Sequence, residues 1–248
     1  MPDRTPSPRR RQPRNRPPKT DRRRAPKGRE RPSFHLTDEI TRELRATARP
    51  GKGEILVKVF ADAAAAFAEG DYGEAIRLGE QAKHMALRSV VSRELLGLAY
   101  YRVGKWKEAA RELSAFRRIS GSTEQNPVIA DCYRATAKPE KALEYCNEIR
   151  QGDVDAPVYY EAQIVAAGAL ADMNRLDDAI DRLEVLELSP GVAGEHHLRA
   201  WYALGDLLER RGRFTQARKW FEGVEAADPE LTDASERAAR LRGERGAG

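Results

Sequence analysis

One short pattern returns five times along this chain, and it constrains the fold more than any other feature. A Gly, Ala or Asn is followed two residues on by an aromatic residue, Leu or Pro, and three further on by Ala. The copies are Gly70-Asp71-Tyr72-Gly73-Glu74-Ala75, Gly104-Lys105-Trp106-Lys107-Glu108-Ala109, Ala137-Lys138-Pro139-Glu140-Lys141-Ala142, Asn174-Arg175-Leu176-Asp177-Asp178-Ala179 and Gly212-Arg213-Phe214-Thr215-Gln216-Ala217. Their closing alanines are 34, 33, 37 and 38 residues apart. Apolar residues at helical spacing flank each copy, so each unit reads as helix, turn, helix. A single unit cannot bury both of its faces, and the units must stack on one another.

The flanks carry more of the pattern. Leu96-Gly97-Leu98-Ala99-Tyr100 precedes the second turn. Trp201-Tyr202-Ala203-Leu204-Gly205 precedes the fifth, with Phe221 and Pro229 after it. These Leu-Gly-x-x-Tyr and Trp…Leu-Gly…Ala…Phe…Pro frames resemble the tetratricopeptide repeat family over roughly residues 54–230. The resemblance implies an all-α chain, a right-handed superhelical solenoid of about five helix pairs with capping helices. Each slot also has its own physical sense. Gly97 and Gly205 let paired helices cross closely, as do Ala75, Ala109, Ala142, Ala179 and Ala217 on the second helices. Gly70, Gly104 and Gly212 suit the left-handed residue that ends a helix. Tyr72, Trp106 and Phe214 open the second helices and are expected to plug the gap to the next repeat. Pro190 and Pro229 are expected to stop helices.

Departures from the pattern predict irregularity. The third copy has Ala137 and Pro139 where a Gly and an aromatic are expected, and its first helix starts late, after Asn126-Pro127. Longer connections lead into the fourth and fifth copies. Local changes of twist are expected around 120–158 and 188–197. Residues 34–53 read as a capping helix and linker, with Thr37 as N-cap and Ile40 and Leu44 facing inwards. Residues 54–230 read as the solenoid. Residues 231–248 read as a final capping helix, anchored by Leu231 and Leu241, with a frayed end.

Residues 1–33 differ in kind. They hold 13 Lys or Arg against 3 Asp or Glu, a net charge of +10, and eight of the 14 prolines. The rest of the chain carries a net of −5. This split excludes a uniformly basic nucleic-acid-binding domain. The first segment has no large apolar residue after Met1, so it is expected to be a disordered basic tail. Arg9, Arg10, Arg11, Arg14, Arg16, Arg22, Arg23 and Arg24 are its candidate contacts with RNA or DNA phosphates, since the guanidinium fork suits phosphate. The plainer reading is a solubilising appendage. Arg22-Arg23-Arg24 is not followed by an apolar core, which argues against an export signal. The longest run of apolar residues and Gly is eight, Ile164 to Ala171, too short to span a membrane. A cytoplasmic, bacterial protein is expected.

Catalytic constellations are absent: no Gly-rich phosphate loop, no Gly-x-Ser-x-Gly and no Cys-x-x-Cys. The chain is expected not to be an enzyme and to need no cofactor, metal or small-molecule substrate. Cys132 and Cys146 read as small packing residues. Glu195-His196-His197 lacks a second ligand set, and adjacent helical residues diverge by about 100°.

A binding groove remains. By resemblance, such solenoids hold an extended peptide or a partner helix on the inner face of the first helix of each pair. That face holds Phe60, Phe67, Glu94, Leu98, Tyr101 and Arg102, then Asp131, Arg134, Ile164 and Asp172, then Tyr202, Asp206 and Arg210. Glu94, Tyr101, Arg102, Asp131, Arg134, Asp172, Tyr202, Asp206 and Arg210 are the candidate partner contacts. Repeats that grip chaperone C-terminal carboxylates use Lys and Asn where Glu94, Leu98 or Asp131 stand here, so that specificity is not implied. The expected function is a protein–protein scaffold or adaptor. The alternative is an RNA- or ribosome-associated factor whose tail contacts nucleic acid.

Overall fold

Each of the five repeated motifs ends one helix and starts the next. The structure, a computed structural model, describes residues 34–189 and 191–243. The eight tail arginines, Pro190 and the frayed end after 243 lie outside the described residues. Among the described residues there are twelve α-helices and no strand beyond an isolated bridge between Gln151 and Val154. A leading helix α1 (Asp38–Thr47) precedes five pairs: α2 (Gly53–Ala68) with α3 (Tyr72–Met85), α4 (Val90–Arg102) with α5 (Trp106–Ser120), α6 (Asn126–Ala135) with α7 (Pro139–Asn147), α8 (Ala156–Asp172) with α9 (Leu176–Glu184), and α10 (Glu195–Arg211) with α11 (Phe214–Ala227). A last helix, α12 (Ala234–Gly243), follows.

Each of the five motif turns passes through one left-handed residue. Gly70, Gly104 and Gly212 have φ of +77°, +76° and +85°, and Ala137 and Asn174 adopt +59° and +62° in the same slot. The turn therefore survives where glycine is lost, at a cost to Ala137. The predicted close crossings are present. A Cβ on Gly97 would lie 2.6 Å from Leu113, and one on Gly205 would lie 2.7 Å from the Phe221 ring. The five motif alanines are all fully buried.

Helices α2 and α4, α6 and α8, and α8 and α10 touch one another, whereas successive second helices do not pack in the same way. The first helices thus form the shorter, inner arc, and the second helices form the outer one. Helices α4 and α6 approach less closely than their counterparts. The third pair is short, with ten and nine residues in α6 and α7, each opened by a proline in its first turn.

The ends are closed from both sides. Thr37 caps α1 by accepting from the Ile40 N–H at 3.3 Å. Leu44 is fully buried with Leu56, Phe60 and Ala82, and Ile40 packs beside them. Glu43 reaches from α1 to the start of α4, accepting from the Val90 N–H at 2.7 Å and the Ser89 hydroxyl at 3.0 Å. At the other end, α12 begins at Ala234, and its buried anchors are Ala234, Ala238 and Leu241. Leu231 is not in that helix; it sits half-buried in the preceding turn. Phe214 also departs from expectation. It is 50% exposed, because a single ten-residue helix rather than a full pair follows it.

One buried charge network has no counterpart in the repeat pattern. Glu112 on α5 is 1% exposed. It accepts from Lys83 at 3.2 Å, from Arg111 at 3.1 Å and from Arg93. A lone buried carboxylate would be costly, and three cations compensate it.

Candidate peptide-binding groove

The inner arc brings four of the nine candidate residues into one hydrogen-bonded line. The Tyr101 hydroxyl of α4 donates to Asp131 Oδ2 of α6 at 2.9 Å. Arg134 of α6 donates to Asp131 Oδ1 at 3.4 Å and, through Nε, to Asp172 Oδ2 of α8 at 3.0 Å. The line crosses three repeats. Gly168 makes room for it, since a Cβ there would stand 2.4 Å from Arg134 Cζ. Burial and the neighbouring Asp131 charge push the Tyr101 phenol upwards, so it remains a donor. Its ring packs edge-on against Trp106, 5.3 Å away.

Glu94 stands apart from that line. It accepts from Gln125 Nε2 at 2.9 Å. Burial raises its pKa above the ordinary carboxylate value, and the nearby Glu124 adds to the effect. Arg102 is exposed, and its guanidinium lies 5.8 Å from the centre of the Tyr72 ring of the preceding pair. Phe60 is 5% exposed and belongs to the core rather than to the groove surface.

Tyr202, Asp206 and Arg210 form a second group that faces α12. The Tyr202 hydroxyl donates to Asp233 at 2.6 Å and accepts from Arg237 at 3.2 Å. Arg237 also donates to Asp206 at 2.9 Å and to Glu209 at 2.7 Å, and it lies 4.3 Å from the Phe221 ring centre. Arg210 is 3.7 Å from Asp206. Through Asp233 and Arg237, Tyr202 and Asp206 hold the last helix in place, so these two side chains are engaged within the chain.

Sequence reasoning passed over Glu161, Arg199 and Arg237. Glu161 on α8 meets Arg199 on α10 at 2.8 Å. Burial raises the Glu161 pKa, and Asp131 and Glu195 push it further up while Arg199 opposes them. Glu161 and Arg199 are 38 residues apart, the same spacing as Ala179 and Ala217, so reading the inner face in phase with the repeat would have paired them.

Other candidate chemistry is structural here. Cys132 and Cys146 are free and buried. They pack in separate clusters, and burial raises both thiols to about 12. The His196 and His197 rings do not diverge as expected. Their centres are 4.0 Å apart, and both meet the Tyr160 ring edge-on, because rotation about the side-chain bonds overrides the backbone spacing. His197 Nδ1 accepts from the Gly194 N–H at 3.0 Å and helps to cap α10. Among the described residues no group of three or more His, Cys, Asp or Glu is placed to hold a metal ion. No helix among them is long and apolar enough to cross a membrane.

Comparison with known proteins agrees with this geometry. Residues 164–231 match the tetratricopeptide repeat family model. The Vi polysaccharide export protein VexE of Salmonella typhi is 30% identical over 160 residues, 62% of this chain, but the match spans only 23% of that protein's length. A thermophilic tetratricopeptide protein of Thermus thermophilus superposes with a TM-score of 0.55 at 18% identity, over 75% of this chain and 98% of its own. MamA superposes with a TM-score of 0.55 at 20% identity, covering 73% and 98%. YrrB, described as a tetratricopeptide protein with an unusual peptide-binding site, gives 0.52 at 17% identity, covering 73% and 90%. With the left-handed turns, the alanine and glycine crossings and the layered helix pairs, these likenesses show that this chain has the fold of tetratricopeptide repeat proteins, with a match to the family model over residues 164–231.

Proposed function

We propose that the chain is a non-catalytic adaptor whose inner face, from α2 to α8, holds an extended peptide or a helix of a protein partner. The carrying observation is the Tyr101–Asp131–Arg134–Asp172 line, which sets polar groups in fixed orientation across three repeats. Leu98 and Phe67, only partly buried, supply apolar surface next to it. Fixed donors and acceptors beside apolar patches give specificity without large rearrangement. A scaffold of this kind needs no cofactor, and its place of work is the cytoplasm.

The test is partner capture by the full chain and by three variants. Arg102→Glu and Arg134→Gln alter the inner face, and Arg118→Glu alters exposed α5 on the outer arc. Partners lost with the two inner variants and kept with Arg118→Glu support the reading. Partners kept by all three refute it. Nuclease treatment that removes every partner would instead favour contact with RNA through the tail.

A further inference from the structure

The inner face carries a run of carboxylates, some of them paired with Arg134 or Arg199 and others with no cation beside them. The repeat spacings of 34, 33, 37 and 38 residues give Val57, Val91, Glu124, Glu161 and Arg199 one row of equivalent repeat positions, with Glu124 in the turn just before α6. Glu94 and Asp131 lie beside that row, and Glu195 lies close to Glu161. Glu124 is near enough to Glu94, and Asp131 and Glu195 near enough to Glu161, to disfavour their ionisation. Among the described residues Glu94, Glu124 and Glu195 form no ion pair, and Glu161 has Arg199 alone. Glu94 and Glu161 are half-buried and Glu124 and Glu195 are exposed; a cation brought close to such like charges favours their ionised form.

The first 33 residues carry such cations and end at this row. Phe34, His35 and Leu36 line a shallow cleft together with Val57 and Ala61 of α2, so the preceding segment joins the body beside the first member of the row. Four steps between neighbouring first helices, at about 10 Å each, make the row about 40 Å long. Thirty-three residues can span up to about 110 Å. Reach is therefore ample, and a net charge of +10 faces a strip in which Glu161 has one cation and Glu94 and Glu124 have none among the described residues. Because both belong to one chain, the local concentration of the segment at the groove is high, on the order of millimolar.

We propose that residues 1–33 dock in cis along the Glu94, Glu124 and Glu161 strip of the inner face and compete there with the protein partner. This rests on the groove reading above and adds the chemistry of its occupant: an arginine-rich extended segment paired with carboxylates.

The test uses the full chain with Ser7→Cys carrying a nitroxide. Cys132 and Cys146 are 1% and 0% exposed, and the unsubstituted chain checks that they stay unlabelled. Paramagnetic broadening of backbone amides is read at low salt and at about 1 M NaCl, where the Debye length is about 3 Å. The expected result is broadening on the inner faces of α4, α6 and α8, unchanged on dilution and lost at high salt. It should fall at least fivefold in Glu94→Gln/Glu124→Gln/Glu161→Gln, whose circular dichroism and melting confirm that it folds. No broadening at low salt would overturn the inference, as would broadening confined to the acidic outer helix α9. Broadening seen only between a labelled and an unlabelled copy would overturn docking in cis. None of these outcomes touches the partner-capture result, so the groove reading stands or falls separately.

Discussion

Ala137 occupies a backbone slot that three of the other four repeats fill with glycine, and the energy stored there can be measured. Its φ of +59° lies in the left-handed region, which costs an L-residue with a Cβ about 1–2 kcal/mol. Its side chain is exposed, so removing the methyl group forfeits no packing. Glycine would release the strain but would widen the unfolded ensemble, which offsets about 0.4–1 kcal/mol. Ala137→Gly should therefore stabilise the chain by about 0.5–1 kcal/mol. For a chain of this size that raises Tm by about 1–4 °C. The reciprocal change, Gly104→Ala at φ +76°, should destabilise by a similar amount. Urea unfolding followed by circular dichroism, with m held as a fitted check, measures both. If Ala137→Gly lowers stability by about 1 kcal/mol, as glycine does inside an exposed helix, residue 137 is not left-handed and the shared turn geometry is wrong.

Three further outcomes follow from packing and charge. Gly205→Ala puts a Cβ 2.7 Å from the fully buried Phe221 ring; it should cost about 1–2 kcal/mol net, the overpacking exceeding the helix-propensity gain, as read by chemical denaturation. Arg237→Ala leaves Asp206, Glu209 and the Tyr202 hydroxyl without their shared donor; it should cost about 2 kcal/mol and speed amide exchange in α12 and the end of α10. Glu161 has a folded pKa raised by burial, so the folded state binds a proton more readily than the unfolded one. Stability from this group then falls as pH rises from near 4.5 through the raised value. In Glu161→Gln that part of the decline should vanish, which thermal melts across the acid range will show.

Much of the fold is legible because its requirements are local. A turn needs a left-handed residue, a close crossing needs a missing or small side chain, and a cap needs a hydroxyl such as that of Thr37. The rest is set by contacts the local pattern does not carry. Ala137 and Asn174 take the left-handed slot because the packed helices on either side hold them there. Phe214 looks like Tyr72 and Trp106 in the motif, yet it stays exposed because only α12 follows it. Glu112 reads as an ordinary surface charge until α3 and α4 bring Lys83 and Arg93 to it. In the groove, repeat phase places Arg134 and Asp172 on one face, and the structure adds the bond between them. Tyr202, Asp206 and Arg210 share that phase, but Arg237 engages Tyr202 and Asp206 from a helix whose apolar pattern gave no hint of the contact.

The claim that the inner arc is the working surface is tested most directly by site-specific photo-crosslinking in the full chain. A photoreactive residue replaces Leu98 on the inner arc in one sample and Arg118 on the outer arc in another, each exposed to the captured partner. The account predicts a crosslinked partner from position 98 and none from position 118. A crosslink from position 118 alone would contradict it.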